Sequence, residues 1–191
     1  MIKKLSLILS VIVFATAITI FAVTFIKSNS RDKSVNKEFI RSIVSRAEQL
    51  EKENLYSTVL DQKCYFGKDS TKLIMFRKIW DSSKVFFYFS DKICPPCIVN
   101  TIEVIKQQYP NYQSDSSIIF ISPDYPKRLT DNCYGKKLLS LQFKMLGLPV
   151  EKNDVPFFFR LNNNLEITSI HIVVKVDFDR TKKYLQSLQD L

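Results

Sequence analysis

Two stretches of the chain are almost wholly apolar, residues 84–90 (KVFFYFS) and 117–122 (SIIFIS). A strand with one face in water alternates apolar and polar residues. A strand that is apolar at nearly every position must be covered on both faces. Between the two, Ile98, Ile102 and Ile105, with Val99 beside them, recur at helical spacing. Pro95 and Pro96 suit the first turn of that helix, where a missing N–H costs nothing, and Pro110 ends it. Strand, helix, strand with both strands buried is a parallel pair joined by a right-handed crossover. The chain is therefore restricted to a layered α/β class with a central sheet flanked by helices, a mixed sheet once the antiparallel hairpin over residues 157–174 is added.

The rest of the sequence fills in that frame. Residues 58–66 and 72–76 read as two short strands around Gly67-Lys68-Asp69, and residues 124–135 as loop. A helix is expected over 136–146, with Leu139, Phe143 and Leu146 on one side and Gly147 just past its end. Val155-Pro156 leads into a strand, Phe157 to Leu161. Asn162-Asn163-Asn164 is a turn, and residues 166–174 form the hairpin partner. Asp177 caps a last helix with Phe178, Tyr184, Leu185 and Leu188 turned inward. Ahead of all this, Val35, Phe39, Ile40, Ile43, Val44, Ala47 and Leu50 mark an amphipathic helix over about residues 34–53, either a stalk or a packed helix of the domain.

The N-terminus bears on the compartment. Lys3 and Lys4 precede an uncharged run, Leu5 to Ile26, closed by Lys27. As a helix this run spans roughly 33 Å, about the thickness of a bilayer core. Ala15-Thr16-Ala17 resembles a cleavage site, but the apolar stretch 18–26 would remain beyond it, which favours an uncleaved signal anchor. The expected organisation is a signal anchor or transmembrane helix at 1–27, a linker and amphipathic helix at 28–55, and a folded domain at 56–191. The expected location is the cell (inner) membrane, single-pass, with the C-terminal domain on the extracytoplasmic or periplasmic side. Three glycines in 191 residues leave no material for a phosphate-cradling loop. The net charge of +9 is spread along the chain without an Arg/Lys block, so no nucleic-acid partner is expected.

The chemistry concentrates at Cys94-Pro95-Pro96-Cys97, where a buried strand gives way to a helix. A CxxC in that place reads as a redox-active dithiol. One turn of backbone holds the two sulfurs within bonding distance, and the positive end of the helix favours a thiolate on the first. Cys94 is the expected nucleophile and Cys97 the resolving thiol. Zinc would need four ligands, and Cys64, Cys133 and His171 are isolated. Cys64 and Cys133 are either a second disulfide or two buried free thiols.

With this motif and Val155-Pro156 before an apolar strand, residues 56–191 resemble the thioredoxin-like superfamily. The likeness is greatest to its membrane-anchored TlpA and ResA branch, which has an added strand pair before the core and an insert in the middle. The resemblance implies a thioredoxin-like α/β fold and a thiol–disulfide oxidoreductase that reduces protein disulfides through a Cys94–Cys97 redox-active pair. It implies no cofactor, protein thiols or disulfides as substrates, and a membrane reductant partner. It also places Val155 and Pro156 at the substrate-binding position, with Pro156 as a cis-proline opposite the CxxC. The sequence departs from the family in two places. Ile93 stands where an aromatic usually precedes the first cysteine, and Tyr88 where thioredoxins carry a buried acid; Glu103 is a candidate substitute for that acid. Two other classes stay open: a Sco-like copper chaperone using Cys94, Cys97 and His171, and a non-catalytic binding module of the same fold.

Overall fold

The computed structural model describes residues 37–189 and divides the chain into two compact units, 1–42 and 43–191. In the first unit, residues 37–42 are helical. The anchor expected at 1–27 lies outside the described residues. Among those described, no helix is long and apolar enough to cross a membrane.

The second unit opens with α1 (43–54). Of the two readings of the amphipathic helix, these residues take the packed one: Ala47 and Leu50 are buried, with Ile43 and Val44 against the same core. Buried Asn54 ends the helix. Its Nδ2 donates to the Leu50 carbonyl (2.8 Å) and its Oδ1 accepts from Val150 N–H (3.0 Å). Then follow β1 (Lys63–Phe66), β2 (Ile74–Met75), β3 (Val85–Tyr88), α2 (Pro95–Gln108), β4 (Ile118–Ser122), β5 (Leu139–Leu141), β6 (Phe157–Leu161), β7 (Ile167–Ile172) and α3 (Phe178–Ser187).

The seven strands form one sheet in the order β2-β1-β5-β4-β3-β6-β7. β3, β4 and β5 run parallel, while β6 and β7 are antiparallel to their neighbours on the other side. β3 is central and wholly buried, as its composition requires. Alternate residues feed two cores. Phe86, Tyr88, Phe157 and Phe159 lie on the α1 face, and Phe87, Phe89, Phe120 and Phe158 on the α2/α3 face. Cross-strand rings meet in register between β3 and β6: Phe86 on Phe159 (5.0 Å), Phe87 on Phe158 (4.6 Å) and Tyr88 on Phe157 (4.5 Å). Each such pair contributes about 0.5–1.5 kcal/mol beyond burial. A parallel sheet flank, a helix springing from the central strand, an antiparallel hairpin and a closing helix make this a thioredoxin-like α/β fold.

One expected element is absent. In place of a helix over 136–146 the chain forms β5, pairing with β4 on one side and β1 on the other. Leu138, Leu139 and Leu141 are all buried, while Phe143, assigned to the inner stripe of the expected helix, is 56% exposed. Lys144 and Gly147 have positive φ, incompatible with a helix. The open edges of β1 and β4 supply backbone partners that outweigh local helical spacing. The next helical turn is the short 3₁₀ segment Pro149–Asn153.

At the free edge of β7, Glu51 of α1 accepts from Ile172 N–H (2.6 Å) and pairs with Arg180 of α3, which donates to the Ile172 carbonyl (3.1 Å). This cluster ties both flanking helices to the edge strand and leaves its last N–H and C=O capped.

Candidate functional site

The site sits at the C-terminal end of the parallel strands. After β3 the chain turns through residues 91–93 and enters α2 at Cys94, its N-cap residue. Ile93 is buried and anchors the turn; Cys94, Pro95 and Pro96 are exposed. Cys97 is half-buried, packed against the core of the α2/α3 face. All four cysteines are free thiols.

The two prolines have a consequence beyond stiffness. The first turn of a helix normally presents unpaired N–H groups to whatever lies at its end. Pro95 and Pro96 have none, Cys97 N–H is turned back to the Cys94 carbonyl (2.9 Å), and Ile98 N–H reaches the same carbonyl (3.4 Å). The Cys94 sulfur therefore faces the helix dipole without the usual amide cradle. Burial raises the Cys97 thiol above its ordinary value, and bonding to Cys94 raises it further. The charge of Lys175 opposes both. Cys97 is thus held protonated while Cys94 faces solvent, a division that suits a resolving and an attacking thiol.

Val155 and Pro156 enter β6, whose first residue, Phe157, is registered against Tyr88 at the end of β3. They lie at the same end of the sheet as the CPPC turn. The Pro156 carbonyl accepts from Val173 N–H (2.9 Å). The cis bond expected before Pro156 is not present: no peptide bond among the described residues is cis. Asp154, two residues before it, lies in the left-handed region at φ 48, and the chain enters β6 with Pro156 in trans.

The other singled-out residues separate from the site. Tyr88, in place of the family's acid, is raised by burial and then by Glu151, so it stays a neutral phenol. Glu103 is exposed and paired with Lys106 (2.6 Å), which removes it as a substitute. His171 is buried with both ring nitrogens engaged: Nδ1 faces Glu51 (3.4 Å) and Nε2 meets Thr181 Oγ1 (3.0 Å), while the ring stacks on Tyr184. It is not turned to the CPPC, so the copper reading loses its third ligand. Among the described residues, no three His, Cys, Asp or Glu side chains are grouped to hold a metal. Cys64 and Cys133 belong to the cores on opposite faces of the sheet, which rules out their pairing.

Two features escaped the sequence reading. Asp91 N–H donates to Asp124 Oδ1 (3.1 Å), and the bond between the two carboxyls raises Asp91 above its ordinary value. The parallel register of β3 and β4 brings the turns after them together, a signal available once those strands were paired. The second is Lys175, in the turn between β7 and α3, whose charge lowers the Cys97 thiol against the effect of burial.

No family model matches the chain, and no curated protein matches it. Among solved structures it is similar to an uncharacterized thioredoxin-like protein from Porphyromonas gingivalis, at 17% identity over 71% of this chain and 94% of that one, with a TM-score of 0.45. It is also similar to a putative electron transport protein from Aquifex aeolicus VF5 (14% identity, 72% and 99% covered, TM-score 0.47). A DsbF homologue from Corynebacterium diphtheriae is 17% identical over 70% of this chain and 85% of that one, with a TM-score of 0.41.

Proposed function

We propose that the protein is a thiol–disulfide oxidoreductase acting through Cys94 and Cys97. The observation that carries this reading is the exposed Cys94 at the start of α2, one helical turn from a half-buried Cys97 whose thiol is raised. In the reductive direction the Cys94 thiolate attacks one sulfur of a substrate disulfide. A Cys94–substrate bond forms, and the other substrate sulfur leaves as a thiolate that takes a proton. Cys97, losing its proton, attacks Cys94. The mixed disulfide breaks, Cys94–Cys97 forms, and two electrons have passed to the substrate. No cofactor enters this cycle. Val155 and Pro156, at the same end of the sheet, would line the approach of a substrate polypeptide. With the apolar run at 5–26, the reading extends to a TlpA- or ResA-like enzyme, anchored in the inner membrane, facing outward and recharged by a membrane reductant.

The test is the reduction potential of the pair in the full-length chain, equilibrated in glutathione or dithiothreitol buffers in mild detergent and trapped by alkylation. A value towards the thioredoxin end, about −270 mV, supports the reductase; one near about −120 mV reverses the direction. A pair that does not titrate reversibly overturns the proposal.

A further inference from the structure

A cleft opens at the other end of the sheet from the CPPC turn. Cys94 follows the end of β3, whereas this cleft is lined where the parallel strands start: Lys84 and Lys137 stand just before β3 and β5, and Ile118 opens β4. Phe66 of β1, Ile74 of β2 and Trp80 continue the lining. Its volume is about 590 Å³, within the roughly 300–1,000 Å³ of small-molecule sites. Phe66 is 39% exposed, and Ile74 and Trp80 are half-buried, so apolar surface is left open there. The charged lining is unbalanced, with Lys78, Lys84, Lys136 and Lys137 against Asp81 and Asp115. Both aspartates are already engaged. Asp81 accepts from Ser83 N–H (2.9 Å) and pairs with Lys84 (3.0 Å), and Asp115 accepts from Ser117 N–H (2.7 Å). Lys136 is half-buried, and its ammonium donates to the carbonyls of Tyr112 and Asp115 (both 2.6 Å). That uses two of its three donors. Burial holds this ammonium below its ordinary value, with the charge of Asp115 opposing. Lys78 and Lys137 are exposed, and among the described residues neither ammonium has a hydrogen-bond or ion-pair partner.

We infer that this cleft binds a small organic anion, a carboxylate or similar charged group on a compact apolar body, with its charge met by Lys78, Lys136 and Lys137 and its body by Phe66, Ile74 and Trp80. The three other ligand classes fit worse. An inorganic anion leaves the apolar side in water. A neutral ligand desolvates Lys136 without bringing it an opposite charge. A cation meets four lysines. The cleft shares no residue with the CPPC turn, so binding here is independent of the exchange reading.

Trp80 is the one tryptophan of the chain and lines the cleft, so its fluorescence reports an occupant directly. The full-length chain in mild detergent is titrated with 4-phenylbutyrate and, at the same ionic strength, with 4-phenylbutyramide, 4-phenylbutylamine and inorganic phosphate. A saturable change is expected with 4-phenylbutyrate alone, together with a rise in the thermal midpoint. Replacing both exposed lysines, Lys78→Glu with Lys137→Glu, is expected to weaken binding about tenfold, a few-fold for each exposed charge. Lys78→Arg with Lys137→Arg is expected to bind as the unaltered chain does. Lys136→Met is expected to weaken binding as well, and the exposed pair decides the matter if that variant does not fold. An equal response to the amide, to the amine or to phosphate overturns the inference. So does a charge-reversed chain that titrates like the unaltered one, or 4-phenylbutyrate that moves neither Trp80 fluorescence nor the thermal midpoint. Cys94→Ser is expected to bind 4-phenylbutyrate unchanged, which separates a failure of the exchange reading from a failure of this one.

Discussion

Cys94 and Cys97 sit where a strand ends and a helix begins, one exposed and one half-buried, while Cys64 and Cys133 lie wholly inside the two cores. The same side chain meets opposite fates. Burial pushes the Cys64 thiol up to about 12, with Asp61 adding to it, and its sulfhydryl donates to the Ile74 carbonyl (3.2 Å). Burial also raises Cys133, to about 11. The buried thiols are held protonated as small apolar groups, while Cys94 is exposed and Cys97 half-buried.

Alkylation at pH 8 puts the widest gap on this contrast. A thiol near 12 is ionised in about one molecule in ten thousand, and one near 11 in about one in a thousand. Cys94 is expected to label first and Cys97 more slowly, with Cys64 and Cys133 labelling only in denaturant. Peptide mass mapping over time reads the order, and fast labelling of Cys64 in the native chain would break the contrast. Next in size is the loss of exchange. Cys94→Ser is expected to bring disulfide reduction to background, and Cys97→Ser to accumulate mixed disulfides that do not resolve. Trapping on non-reducing gels separates the two.

The buried pair also depends on the scaffold. Glu51→Gln removes the charge that meets Arg180 and is expected to destabilise the fold by about 2 kcal/mol, seen as an earlier denaturant midpoint and faster labelling of Cys64. Burial alone would raise the Glu51 carboxyl, but bonds from His171, Ile172 N–H and Arg180 outweigh it and hold it below 4.5. That contribution is present above 4.5 and lost as pH falls through the folded value. Burial lowers His171 below its ordinary 6.5, so the unfolded chain takes up that proton more readily and stability also falls as pH drops under 6.5. Thermal melts across pH should show the decline in two stages, and His171→Gln should erase the upper one. The smallest effect is expected at Gly67, whose φ is +67 and where a Cβ would run into Asp131 Oδ1. Gly67→Ala should cost about 1 kcal/mol. It should also displace the carboxylate that accepts from Lys68 N–H and speed labelling of Cys64 by local opening.

Much of the scaffold was legible because its signals are local. The apolar runs became β3 and β4, Pro95 and Pro96 began α2, the Asn162 side chain made the hairpin turn by accepting from Asn164 and Glu166 N–H, and Asp177 capped α3. The misreading at 136–146 came from leucines whose spacing fits a helix as well as a strand, and only the open edges of β1 and β4 distinguish the two.

Sequence alone determined where a dithiol could stand, since CPPC after a buried strand needs only neighbours in the chain. Tertiary structure decided what surrounds it. It turned His171 into the Glu51–Thr181 cluster, put Cys64 and Cys133 on opposite faces, and left Pro156 in trans. The physical reason is that ionisation, pairing and burial are set by groups brought together through sheet register, and register is fixed by long-range backbone bonds that no single segment carries.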